Sequence, residues 1–131
     1  MPTLESSCTF LNHDDEIMVR QGIIGAVRSM TVEKTRIEGR NALSVLPRTW
    51  ALALGASFCR WVAVGTPTGL KVGQICDNIA FRVEGRQSTL PCVALEGPEE
   101  VVLGRTAMLA LGLEITADGT AVLNPEPYLH V

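Results

Sequence analysis

Hydrophobic positions along this chain fall in short runs, separated by glycine, proline or charged clusters. Short runs rich in Val, Ile and Thr predict strands rather than long helices. Ile17 to Val19, Ile23 to Val27 and Met30 to Ile37 form the first group. Glu38-Gly39-Arg40-Asn41 then predicts a hairpin turn, with Ala42 to Leu46 as the return strand. Phe58 to Val72 predicts a second hairpin around Gly65-Thr66-Pro67-Thr68-Gly69, where two glycines and a proline make a tip. Ile75 to Val83 and Ser88 to Leu95 predict a third, and Glu96 to Glu100 a solvated polar loop. Val101 to Leu103 reads as a short buried strand. The tail runs from Ile115 through a turn at Asp118-Gly119 and Ala121 to Leu123 to Tyr128–Val131.

Two segments depart from this texture. Arg48 to Leu54 carries good helix formers and a following Gly55 suited to a C-terminal cap, and Arg105 to Leu111 is the clearest helix. The expectation is an all-β fold with one or two short helices. Residues 1–16 read as a polar, solvated, partly frayed lead-in to a single domain over 17–131.

The two helical segments belong to a repeat. Val45-Leu46-Pro47-Arg48-Thr49-Trp50-Ala51-Leu52-Ala53-Leu54-Gly55 returns as Val102-Leu103-Gly104-Arg105-Thr106-Ala107-Met108-Leu109-Ala110-Leu111-Gly112, identical at eight of eleven positions and offset by 57. Ile37-Glu38-Gly39-Arg40 before the first copy matches Val83-Glu84-Gly85-Arg86 before the second. Two copies are too few for a solenoid, so the repeat predicts one domain of two similar halves.

Composition narrows the function. The chain has 131 residues, 47% hydrophobic and 19% charged, with a net charge of -3 and a mean hydropathy of +0.24. That suits one oily globular domain inclined to self-association. Scattered basic residues give no footprint for nucleic acid, and no apolar run approaches the ~18 residues of a membrane span. No signal peptide is read at Met1 to Phe10. Cys8, Cys59, Cys76 and Cys92 are widely spread, which argues against structural zinc and for free thiols in a reducing compartment, cytoplasmic or nuclear. A cysteine nucleophile would depend on His13 or His130, both near chain ends. Asn12-His13-Asp14-Asp15-Glu16 offers metal-binding types, but adjacent side chains rarely converge on one ion, so no metal and no cofactor are expected. The tip at Gly65 to Gly69 lacks the G-K-[ST] of a phosphate loop.

Leu90-Pro91-Cys92-Val93-Ala94-Leu95, a polar loop, then Val101-Val102-Leu103-Gly104-Arg105 and a short helix resembles the second half of a retropepsin-like aspartic protease. That is the retroviral and retrotransposon protease family and its cellular relatives. The resemblance covers about residues 17 to 115, in the order first hairpin, catalytic loop, flap hairpin, third hairpin and Gly-Arg strand with its helix. It implies a closed β-barrel of the acid-protease type with an internal pseudo-twofold, assembled as a homodimer.

The family's activity rests on Asp-Thr/Ser-Gly, one copy from each subunit, with two aspartates sharing a proton. This chain has no such triplet. The repeat and the spacing from Gly39 place the lost motif at Pro47-Arg48-Thr49; a match through Ser44-Val45-Leu46-Pro47 places it at Glu38-Gly39-Arg40; a match through Gly55-Ala56-Ser57 places it at Ala53-Leu54-Gly55. Proline at 47 removes the carboxylate and an N–H. Glu38 keeps a carboxylate, but the Arg40 charge would favour its ionised form.

The resemblance therefore implies an inactive domain used for dimerisation or protein interaction, the alternative being an active aspartic endopeptidase that uses Glu38. Val64, Gly65, Thr66, Pro67, Thr68 and Gly69 would form a flap over a peptide groove, and Leu123, Tyr128, Leu129 and Val131 a dimer interface. Trp50 and Trp61 are candidate anchors, with core packing expected for at least one.

Overall fold

The computed structural model describes residues 2–97 and 100–124. Among these the chain is mostly β, with three short helices. The first half holds β1 (Thr3–Leu4), β2 (Cys8–Asn12), α1 (His13–Arg20), β3 (Ser29–Val32), β4 (Thr35–Ile37), β5 (Ser44–Pro47) and α2 (Arg48–Ala53). A long hairpin follows, β6 (Ser57–Thr66) and β7 (Gly69–Asp77). The second half continues with β8 (Ile79–Val83), β9 (Arg86–Thr89), β10 (Cys92–Leu95), β11 (Val102–Leu103) and α3 (Arg105–Leu111), then β12 (Leu113–Ile115) and β13 (Thr120–Leu123).

The strands form two open sheets, ordered β12-β13-β1-β4-β11-β5-β10-β7-β6 and β3-β2-β8-β9. The expected closed barrel is not found: β12 and β6 end the larger sheet on opposite sides. Leu4, Ile37, Leu46 and Leu103 from the larger sheet meet Phe10, Ile79 and Phe81 from the smaller in one core. Ala51 and Leu54 of the α2 segment and Ala107 and Leu111 of α3 complete it. Phe10 and Phe81 are fully buried and meet edge to face at 4.9 Å. Truncating such a residue to alanine costs about 3–5 kcal/mol.

Pairing registers show that the repeat is the visible part of a longer duplication. Arg36 and Ile37 pair in parallel with Val102 and Leu103. Moved by 57 residues, those pairs become Val93–Val45 and Ala94–Leu46, which are also parallel pairs. Val45 pairs with Val102, its own counterpart. In the smaller sheet Phe10 pairs with Phe81, and Cys8–Val83 and Asn12–Ile79 exchange when the offset is 71. Thus β1 to β5 and α2 correspond to β7 to β11 and α3. Helix α1 is inserted in the first half alone, where the second has the tight turn at Glu84-Gly85, and the offset shifts across it.

Several expectations are corrected. Within the expected polar lead-in, Leu4, Cys8, Phe10 and Leu11 are buried, and β2 is central in the smaller sheet. Ile17 to Val19 lie in α1, because Asn12 caps that helix by accepting the Asp14 N–H at 2.8 Å and three acidic residues fill its first turn. Ile23 to Val27 form no regular element, since Gly22 turns the chain with φ 76 and Ile23 is left exposed. Met30 to Ile37 splits into β3 and β4, one in each sheet. The first hairpin is not one: β11 lies between β4 and β5 and takes their hydrogen bonds. The matched turns also differ, Glu84 and Gly85 having φ 46 and 86 in a hairpin while Gly39 is not left-handed. Each repeat helix does end at a left-handed glycine, Gly55 with φ 72 and Gly112 with φ 67.

Threading β11 between β4 and β5 brings the loop 38–43 against the start of α3. Leu103 O accepts from the Glu38 N–H, Asn41 O from the Arg105 N–H at 2.8 Å, and Ala42 O from the Thr106 N–H at 3.1 Å. The Gly104 N–H donates to the buried Ser44 Oγ at 2.9 Å. The bonds to Asn41 O and Ala42 O satisfy the Arg105 and Thr106 N–H groups, which have no partner within the helix. A Cβ on Gly104 would sit 2.5 Å from Leu43 O and 2.9 Å from Asn41 O, whereas one on Gly39 would meet nothing within 4 Å. Gly104→Ala is therefore expected to lose roughly 1–3 kcal/mol in denaturant unfolding, as overpacking does, with Gly39→Ala near neutral; equal effects would show that the close approach is not the constraint.

Candidate functional site

The tip of the β6–β7 hairpin, with Pro67 and Thr68 at its turn, leans over a cavity of about 210 Å³. Val45 and Val102, the pair at the centre of the duplication, lie on its floor with Leu95 beside them. Val64, Gly65, Thr66 and Lys71 line it from the hairpin, and Arg36, Asn41, Glu96 and Glu100 form a polar rim. Arg36 Nε donates to Glu100 Oε1 at 2.7 Å and holds one side of that rim. Of the six residues expected to form a flap, Val64 to Thr68 line this cavity; Gly69, with φ 118, closes the turn.

On the body side the hairpin approaches closely. A Cβ on Gly73 would meet Val93 Cγ1 at 2.5 Å, so this glycine lets β7 lie flat against β10. Residues 59 and 60 face one residue of β7, a bulge between the Phe58–Cys76 and Trp61–Gln74 pairs. Arg48 holds that place: its guanidinium carbon lies 4.7 Å from the Phe58 ring centre and 5.3 Å from that of Trp61. It also donates to Gln74 Oε1 at 3.1 Å. Trp50 packs against the core near Phe10, while Trp61 is 59% exposed on the hairpin.

The expected degenerate positions do not meet at the cavity. Pro47 is buried at the junction of β5 and α2, Thr49 is exposed on α2, and Arg48 is engaged with the hairpin base. Under the duplication Pro47 corresponds to Gly104, at the same strand-to-helix junction. Ala53 and Leu54 end α2, and Leu54 is in the core. Glu38 instead begins the loop whose Asn41 lines the cavity. Arg40 grips both of its carboxylate oxygens, Nε to Oε1 at 2.9 Å and Nη2 to Oε2 at 3.0 Å, and its N–H adds a bond to Oε1 at 3.2 Å. These bonds hold the Glu38 carboxyl at about 2, well below its ordinary value.

Other candidates lie elsewhere. His13 Nδ1 meets Thr89 Oγ1, Asp15 pairs with Arg28, and Glu16 pairs with Arg20 and Arg82. The residues 12–16 thus diverge, and among the described residues no His, Cys, Asp or Glu group is placed to hold a metal. Leu123 pairs with Leu113 and packs against the core; Tyr128, Leu129 and Val131 lie outside the described residues. The Arg36–Glu100 rim was not foreseen, since its members are 64 residues apart with no spacing signal. Val45 and Val102 carried one: each opens a copy of the repeat.

No protein-family model matches the sequence, and no curated protein matches it. No helix among the described residues is long and apolar enough to cross a membrane.

The Glu38–Arg40 clamp is testable by titration. A folded-state value below the ordinary one stabilises the fold above the ordinary value, and that contribution is lost as pH falls through the folded value. NMR of the Glu38 carboxyl should give a midpoint at about 2, moving toward the ordinary 4.5 in Arg40→Ala. An unshifted midpoint in the intact protein would show that the clamp does not persist in solution.

Proposed function

We propose that this chain is a catalytically inactive, retropepsin-like domain that serves as a homodimerisation and protein-interaction module inside the cell, in the cytoplasm or nucleus. Its site would hold an extended segment of a partner protein under the β6–β7 hairpin, using backbone hydrogen bonds and side-chain pockets as an added strand does. An apolar floor with a charged rim suits such a segment.

The observation that supports an inactive domain is the state of Glu38. It is the carboxylate on the loop between β4 and β5, and the Arg40 fork occupies both oxygens. Acid-protease chemistry needs a carboxyl that accepts and shares a proton near working pH. A carboxyl lowered to about 2 by the Arg40 fork is poorly suited to that sharing. Asp14 and Asp15 sit on α1, Asp77 ends β7 and Asp118 lies in the β12–β13 turn, so no aspartate lines the cavity; its rim carboxylates are Glu96 and Glu100, the latter paired with Arg36. The internal pseudo-twofold and the hairpin over its axis support the family reading. Four free cysteines among the described residues support a reducing compartment.

Purified protein is expected to leave unstructured peptides uncut from acidic to neutral pH. Cleavage that disappears in Glu38→Ala would replace this reading with an active aspartic endopeptidase. Sedimentation equilibrium is expected to give a dimer, and a strict monomer at high micromolar concentration would remove the homodimer from the proposal.

A further inference from the structure

Beneath the hairpin two cysteines face each other. Cys76 on β7 and Cys92 on β10 are direct partners in an antiparallel ladder, and both are fully buried. Directly opposed residues in such a ladder have Cα atoms about 4.5 or 5.5 Å apart, according to the type of pair. Both separations fall in the range of about 4.4–6.8 Å that a disulfide spans. The Cys76 thiol donates to Gln74 O at 3.7 Å, and the Cys92 thiol lies beside it closely enough to shift its acidity.

The duplication supplies an internal comparison. In the first half the corresponding pair is Leu4 with Thr35, on β1 and β4. That position therefore does not need two small sulfur-bearing side chains for packing.

From this geometry we infer that Cys76 and Cys92 form a reversible redox pair, closed to a disulfide by a small-molecule disulfide of the glutathione type. Because Cys76 is buried, local opening at the hairpin base admits the oxidant; the Cys76 thiolate then attacks one of its sulfurs, forming a mixed disulfide and releasing one thiol. The Cys92 thiolate then attacks the Cys76 sulfur and expels the second thiol. Two protein thiols are oxidised, one external disulfide is reduced to two thiols, and each protein thiol gives up its proton to solvent or to the departing thiolate.

The order of attack follows from the surroundings. The bond from the Cys92 thiol stabilises charge on Cys76, and Arg48 adds its positive charge, so the Cys76 thiol is lowered although burial opposes this. Cys92 is raised, first by that same bond and then by burial. Cys59, exposed at the bulge, is bonded to Asp77 Oδ2 at 2.9 Å, which raises it and makes it a poorer nucleophile. The closed bond would tie β7, the inner strand of the hairpin, to β10, and enclose the β8–β9 hairpin in the loop. The oxidised form would hold the base of the hairpin shut over the cavity. This inference does not depend on the family reading.

The test incubates the native full chain, in a Cys59→Ser background, with oxidised glutathione. Alkylation, tryptic digestion and mass spectrometry follow. The expected product is a peptide joining Cys76 to Cys92, two hydrogens lighter than its separate parts and released by dithiothreitol. Amide exchange in β7 should slow on oxidation. The link should be absent in Cys76→Ser. If the variants do not fold, the same mapping on the unaltered chain decides the matter. Cys76 and Cys92 still reduced, carrying only glutathione, or linked instead to Cys8 or Cys59 would overturn the proposal.

Discussion

Two self-paired rungs govern this molecule: Val45 against Val102 in the larger sheet and Phe10 against Phe81 in the smaller. Each joins a residue to its own counterpart in the other half. A duplicated chain brings its halves together most simply by such pairing, because one sequence then supplies both sides of a complementary contact. Once these rungs are set, β4 lies beside β11 as β10 lies beside β5. The core between the sheets follows, with the two buried phenylalanines meeting edge to face near its middle.

The same arrangement determines how the repeat helices end. Asn12 Nδ2 donates to Leu54 O at 2.9 Å and to Gly55 O at 3.0 Å. In the other half Arg86 Nη1 donates to Leu111 O at 3.1 Å and to Gly112 O at 3.2 Å. The carbonyls correspond, but the donors are different residue types on different strands. Each buried helix end requires donors for its unpaired carbonyls, and each half found its own. Divergence has altered the means while the requirement stayed fixed.

Much of this was legible in the sequence. The β6–β7 hairpin announces itself through Gly65-Thr66-Pro67-Thr68-Gly69, and α3 occupies the Arg105–Leu111 segment that its composition indicates. Other parts were hidden for physical reasons. The N-terminal strands are hard to see because β1 has only two residues and the short alternation Cys8-Thr9-Phe10 breaks at Leu11 and Asn12, both also buried. The acidic run before Ile17 is a helix start, which resembles a solvated cluster until Asn12 is seen to cap it. Loop 38–43 looks like a hairpin turn because nothing local reveals that a strand from the far end of the chain will enter beside it. The wider duplication escapes a constant-offset comparison because α1 lies in one half only. In the candidate site the valines were marked by the repeat, whereas Arg36 and Glu100 meet only through tertiary structure.

The rung at Val45 and Val102 has a bearing on assembly. Its backbone edges are already used within one chain, and the strands on either side, β4 and β10, are occupied on both sides as well. Symmetry has been satisfied once inside the protomer, and that surface is no longer on offer to a second. Among the described residues, the strands of the larger sheet left with a free edge are β6 and β12. These differ in length, neighbours and exposure, so the molecule has two unlike ends although its middle is nearly symmetric.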